Sequence, residues 1–151
     1  MRNLLLAIMG IFSIFSASCS KKSEQGDVAN ELHARFRVGQ VWAFKAPPHL
    51  PDARLTILRI ESDGRGDVTV HVALSGVSYG DGQTKVNHLP FAATAVDESV
   101  TTLERESGET PDFQEGYDTW RVAYDAGKAG VFTIPVGEAY EQVTGVLDGS
   151  K

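Results

Sequence analysis

His71 and His88 are the side chains of this sequence best placed for proton chemistry. An imidazole near its ordinary pKa both gives and takes protons around neutrality. His71 stands in DVTVHVAL (67–74), where Val68, Val70, Val72 and Leu74 alternate with Asp67, Thr69, His71 and Ala73. On a strand, that alternation sets His71 and Asp67 together on the face away from the valines. His88 lies near the end of the next extended stretch, so the two imidazoles can approach each other. A general acid–base pair of His71 or His88 with a carboxylate follows as the chemistry of such a face. The plainer reading is a surface or inter-layer histidine. His33 and His49 complete the set, and no two of the four histidines make an H-x-x-x-H or H-E-x-x-H pair. A helical zinc site therefore lacks its two ligands on one face, and no metal or other cofactor is expected.

Other catalytic patterns are missing. There is no G-x-S-x-G elbow. The glycine-rich pieces DGRGD and YGDG lack the spacing of a phosphate cradle and read as turns. Arg65-Gly66-Asp67 spells an adhesion tripeptide, but matches of that length arise by chance. Calcium binding by an EF-hand loop is not expected, because no D-x-D-x-D-G run with a distal Glu occurs. Phe113, Tyr117, Trp120 and Tyr124 fall at i, i+4, i+7 and i+11, so four aromatics share one helix face. Such a stripe is core in most proteins and lines a ligand groove in some.

Charge narrows the partners. The 151 residues carry a net charge of −6, which argues against nucleic acid, whose binders show a basic patch. Between 97 and 118 stand Asp97, Glu98, Glu104, Glu106, Glu109, Asp112, Glu115 and Asp118, opposed by Arg105 alone. Glu104, Glu106, Glu109 and Glu115 are the candidate docking face for a partner with a basic surface. The bland alternative is a solvated pair of helix faces and their loop.

The elements that would position these groups read as strands first and helices second. Strands are expected near 40–46, 53–61, 67–74 and 84–89. The turn SDGRG (62–66) joins the second and third into a hairpin. Pro47, Pro48 and Pro51 exclude 47–51 from a sheet interior. From Pro90 the period becomes helical, predicting a helix across 91–105. Thr110 as N-cap and Pro111 at N1 predict a second helix through Tyr124. Thr133 and Pro135 open a third, with Val136, Ala139, Tyr140 and Val143 on its apolar stripe. Gly116, inside the second helix, costs about 1 kcal/mol against alanine. The layout is α+β: a small, mostly antiparallel sheet of three to four strands, followed by about three helices covering one of its faces. A hydrophobic share of 42% and a charged share of 23% suit one globular domain over residues 31–151.

The N-terminus reads as an address. Arg2 precedes the apolar run Leu4 to Phe15, broken only by Gly10 and Ser13. As a helix it would span about 18 Å, short of the ~30 Å bilayer core but right for a signal-peptide h-region. Cys19, the one cysteine, follows Ser16-Ala17-Ser18. This arrangement resembles the lipobox of bacterial lipoproteins, with Ser16 where that family usually has leucine. The small residues also suit ordinary signal peptidase. The resemblance implies cleavage after residue 18 and acylation of Cys19. It also implies attachment to the cell envelope, with the outer membrane facing the periplasm favoured because Ser20, not aspartate, follows. Residues 19–30 then read as the lipidated cysteine and a flexible tether. The strings GQVWAF, HLPFAATAVDESV, GYDTWR and GVFTIPVGEA resemble those of small bacterial α+β domains, a likeness that implies no activity and no site residues. The expectation is a lipid-anchored envelope protein acting as a non-enzymatic binding or interaction module. A small periplasmic hydrolase using a His–carboxylate pair, or an immunity or inhibitor protein with an acidic docking face, stands behind it.

Overall fold

Alternating apolar residues set the sheet. A computed structural model describes residues 21–63, 66–80, 82–106 and 108–148. In chain order these form α1 (Lys21–Arg35), β1 (Gln40–Phe44), β2 (Arg54–Ser62), β3 (Val68–Tyr79) and β4 (Gln83–Ala92). They continue as α2 (Ala93–Ser99), β5 (Val100–Glu106), α3 (Gln114–Asp125) and α4 (Val136–Asp148). The five strands make one antiparallel sheet in the order β4-β3-β2-β1-β5. The fold is α+β.

Val70, Val72 and Leu74 of β3, Leu55 and Ile57 of β2, and Phe91 of β4 build the main core on one face of the sheet. Phe36 after α1, Val96 of α2, and Val136, Ala139 and Tyr140 of α4 close it. Buried Ser99 ties two of these helices together. Its hydroxyl donates to the Ala95 carbonyl at 2.6 Å and accepts the Val136 N–H at 2.9 Å, so the end of α2 caps the start of α4. The fourth helix, α3, lies on the opposite face.

Five expectations are corrected. The helix across 91–105 ends at Ser99, and Val100–Glu106 is a strand paired with β1. There Val100, Thr101 and Thr102 favour extended backbone, and β1 gains a second neighbour. The strand expected at 84–89 runs on through Pro90 to Ala92. Proline is tolerated because β4 is a sheet edge. The tether expected through residue 30 is helical from Lys21, with Leu32 packed against the core and Phe36 only 1% exposed. The second helix opens at Gln114, after Pro111, with no side-chain cap at Phe113. Finally, helices cover both faces of the sheet, because α3 packs on the face that the valines leave.

Candidate functional site

The site begins with a break in alternation. Along β2, Leu55 and Ile57 pair with Leu74 and Val72, but the register then slips so that Arg59 pairs with His71 and Glu61 with Thr69. Leu58 is the extra residue of this bulge. Were Leu58 paired in regular alternation, Arg59 and Glu61 would follow Leu55 and Ile57 into the apolar core. With the bulge, both turn to the face of His71, while Ile60 stays on the core side opposite Val70.

That face is buried. His71 is 0% exposed, roofed by α3, which corrects the expectation of an outward strand face. Tyr117 and Trp120 meet its ring edge-to-face at 5.2 and 4.8 Å. Gly116 permits the close crossing: a Cβ there would stand 2.9 Å from His88 Cβ. The helix-breaking glycine is thus the point where α3 touches β4.

The two histidines do meet. His71 Nδ1 lies 2.9 Å from His88 Nε2, with ring centroids 5.1 Å apart and planes inclined by 18°. For that N···N contact, the centroid separation is nearly as long as two rings allow. The imidazoles therefore meet edge to edge in a nearly common plane. The carboxylate partner is Glu61, not Asp67: His71 Nε2 lies 3.3 Å from Glu61 Oε2. Asp67 lies in the turn, where its backbone N–H donates to Asp63.

Glu61 is the hub. Its Oε1 accepts from Tyr117 Oη at 2.6 Å and Arg59 Nε at 2.7 Å, and Oε2 faces Arg121 Nη1 at 3.4 Å. Burial pushes the Glu61 carboxyl up, but the bonds from Tyr117 and Arg59 and the nearby positive charge outweigh it and hold the pKa below the usual range. The carboxylate stays ionised and accepts a hydrogen bond from His71 Nε2–H. His71 Nδ1 is then the bare acceptor, so His88 Nε2 must donate and His88 Nδ1 is left without a proton. Burial, then the neighbouring His88, depresses the His71 pKa to about 4, and burial lowers that of His88. Both rings are neutral at pH 7.

Above this hub is an open cleft of about 630 Å³. Its lining includes Arg59, Glu61, Ser62, Thr69, Tyr117, Trp120, Arg121 and Tyr124. Arg59 lies over the Tyr117 ring at 4.7 Å, and Arg121 over Trp120 and Tyr124. Trp120 Nε1 donates to the Gly130 carbonyl, anchoring α3 to the segment that pairs with β4 through Phe132. A smaller groove of about 310 Å³ adjoins it, lined in part by Val28, Leu32, Val68 and Ala93.

The acidic face is dispersed. Glu104 and Glu106 lie on strand β5, not on a helix, and pair with Arg54 at 2.6 Å and Arg37 at 3.5 Å. Gln40 also donates to Glu106. Glu109 is in the following loop, and Glu115 in the first turn of α3. Cys19 and Arg65 lie outside the described residues. Among the described residues, no group of three or more His, Cys, Asp or Glu is placed to hold a metal, and no helix is long and apolar enough to cross a membrane.

Sequence pattern placed His71 beside His88 and named Tyr117 and Trp120. It missed Glu61, Arg59 and Arg121. The signal for the first two was the doublet Ile57-Leu58 within β2, which marks a broken period. Comparison with protein-family models, with curated proteins and with solved structures finds no match.

Proposed function

We propose that this protein is a lipid-anchored binding module of the bacterial envelope, and that the cleft between β2 and α3 is its ligand site. The observation that carries the reading is the division of labour at Glu61. Beneath it, His71 bonds to His88 and to Glu61, and Tyr117 donates to Glu61. Above it, Arg59 and Arg121 stay 49% and 43% exposed, beside the aromatic rings of Trp120 and Tyr124. Guanidinium N–H groups beyond those bonded to Glu61 and, for Arg121, to Asp125 remain for a ligand. Glu61 and Asp63 share the lining with the two arginines, so charge within the cleft is balanced. An uncharged ligand with hydroxyl or amide groups on one side and an apolar face on the other suits such walls. A sugar ring has that form.

The hydrolase reading rests on His71 or His88 with a carboxylate, and of the two rings His88 is the half-buried one. His71 is sealed under α3, and Glu61 has both oxygens engaged by donors, so the geometry favours binding over proton transfer. The immunity reading had rested on a continuous acidic surface, and arginines of this chain face two of its four carboxylates. Titrating the protein with N-acetylglucosamine and its β-1,4-linked dimer, with tryptophan fluorescence as readout, tests the site: saturable change is expected, and an unchanged spectrum contradicts it. Mass spectrometry of the mature N-terminus tests the anchor: an acylated Cys19 is expected, and an unmodified Cys19 or a different start removes it.

A further inference from the structure

We propose that the His71–His88 pair is an acid-sensitive latch: it holds α3 on the sheet while both rings are neutral, and protonating it releases α3 and dismantles the cleft. Such a latch would regulate the proposed ligand site, and it rests on that reading for its purpose, though not for its mechanics.

The mechanics follow from the hydrogens. Ionised Glu61 orders the chain as His88 Nε2–H to His71 Nδ1, and His71 Nε2–H to Glu61. A first added proton has His88 Nδ1 as its free site. A Cβ built on Gly116 would stand 3.8 Å from that nitrogen, and glycine has no side chain to accept a hydrogen bond. A second added proton would put hydrogens on both nitrogens of the 2.9 Å contact, which cannot then persist.

The surrounding charge gives little relief: Glu61 favours an imidazolium, but burial and the neighbouring ring outweigh it. From β2 the pair faces Arg59 and Glu61, and from α3 Tyr117 and Arg121. Arg121 is itself held by Asp125 at 3.1 Å, at the outer end of α3. One carboxylate already serves two guanidinium groups, so an imidazolium would be a third cation beside it. His88 is half-buried, but His71 is 0% exposed and reaches water only when its roof lifts. The roof is α3, whose remaining sides are largely exposed at Glu115, Asp118, Thr119 and Val122. The valine core on the other face need not move. Each titrating histidine shifts the docked-to-released ratio by up to about tenfold per pH unit.

The test is an NMR titration of the ¹⁵N-labelled chain from about pH 8 to about pH 4. It follows the backbone amides of α3, the Trp120 and Trp42 indole N–H signals and the imidazole carbons. The latch predicts that Trp120 and the α3 amides move to unstructured positions together with His71 and His88 protonation, while Trp42 and the β3 amides stay native. It also predicts that the double variant His71→Gln, His88→Gln keeps α3 docked throughout. Three results each overturn it: α3 signals that stay native across the range, α3 signals that move at a pH unrelated to the imidazole titration, or one transition that unfolds the whole chain. The coincidence of the two titrations is read on the wild-type protein, so the test remains decisive even if the double variant does not fold. No sugar is present, so a failed latch and a failed ligand site are told apart.

Discussion

Gly116 of α3 sits directly on His88 of β4: a Cβ at position 116 would lie 2.9 Å from His88 Cβ. A helix normally gains about 1 kcal/mol when an interior glycine becomes alanine. Here the contact reverses the sign. Gly116→Ala is expected to destabilise the protein by about 1–3 kcal/mol through overpacking. Gly145→Ala, where nothing lies within 4 Å of the added carbon, is expected to stabilise it by up to about 1 kcal/mol. Urea denaturation of the two variants checks the pair, and equal shifts of one sign contradict the close crossing.

Tyr117 donates to Glu61 across 2.6 Å from a nearly buried position. Tyr117→Phe removes that charge-assisted bond and is expected to cost about 1.5–3 kcal/mol. The ring, and its contact with His71, remain. Tyr124→Phe, at a more exposed ring of the same stripe, is expected to change stability by less than about 0.5 kcal/mol. Thermal unfolding of both variants decides, and a Tyr117→Phe protein as stable as wild type would show that the hub is not holding α3.

Acid is expected to weaken the fold before the carboxylates as a class titrate. The His71 pKa falls from 6.5 to about 4 on folding, so as pH drops the unfolded chain takes the proton first. The contribution is whole above pH 6.5 and is lost as pH falls from 6.5 to about 4. Glu61, also lowered, adds a loss of the same sign as pH falls below 4.5. Each proton contributes at most about 1.4 kcal/mol per pH unit. Denaturant midpoints measured from neutral to mildly acid pH should fall, and His71→Gln should flatten the upper part of the curve. A wild-type profile flat between 6.5 and 4.5 is the contrary result.

The bulge at Leu58 decides which face Arg59 and Glu61 occupy. Deleting Leu58 removes the extra residue, so Arg59 follows Ile57 directly and simple alternation keeps Arg59 and Glu61 on the His71 face. The deletion protein is expected to fold, losing about 2–5 kcal/mol with the buried leucine. Leu58→Val keeps the bulge and should remain folded, at a cost of about 0.5–1.5 kcal/mol. Circular dichroism and urea denaturation check both, and a deletion protein that does not fold would mean that Leu58 itself, not the phase it resets, directs the site.

How far the sequence speaks can be seen residue by residue. β3 was legible because Val68, Val70, Val72 and Leu74 alternate without interruption. The third predicted helix, beginning near Pro135, was legible because proline and an apolar stripe coincide, and the structure starts α4 at Val136. β5 was hidden, because Ala92, Val96, Ser99 and Leu103 keep a helical spacing across a boundary that β1 sets from far along the chain. The burial of His71 was hidden for a related reason: alternation states which residues share a face, but not which faces another layer will cover. His71 and His88 were paired from register alone. Glu61 was out of reach because a bulge changes the phase of everything after it, and local pattern does not announce where the phase changes.

The proposed binding role depends on the cleft beside Glu61 taking a ligand of sugar-like form. A ¹⁵N-resolved NMR titration with the β-1,4-linked N-acetylglucosamine dimer reads that binding residue by residue, at neutral pH where α3 is docked. Saturable shifts are expected, confined to Arg59, Glu61, Thr69, Tyr117, Trp120 and Tyr124, the Arg59 Nε–H and Trp120 indole signals among them. Arg59→Ala should abolish these shifts while the core amides stay native. Shifts that are absent at millimolar sugar, or that gather on β5 or α4 instead, would contradict the assignment of the cleft.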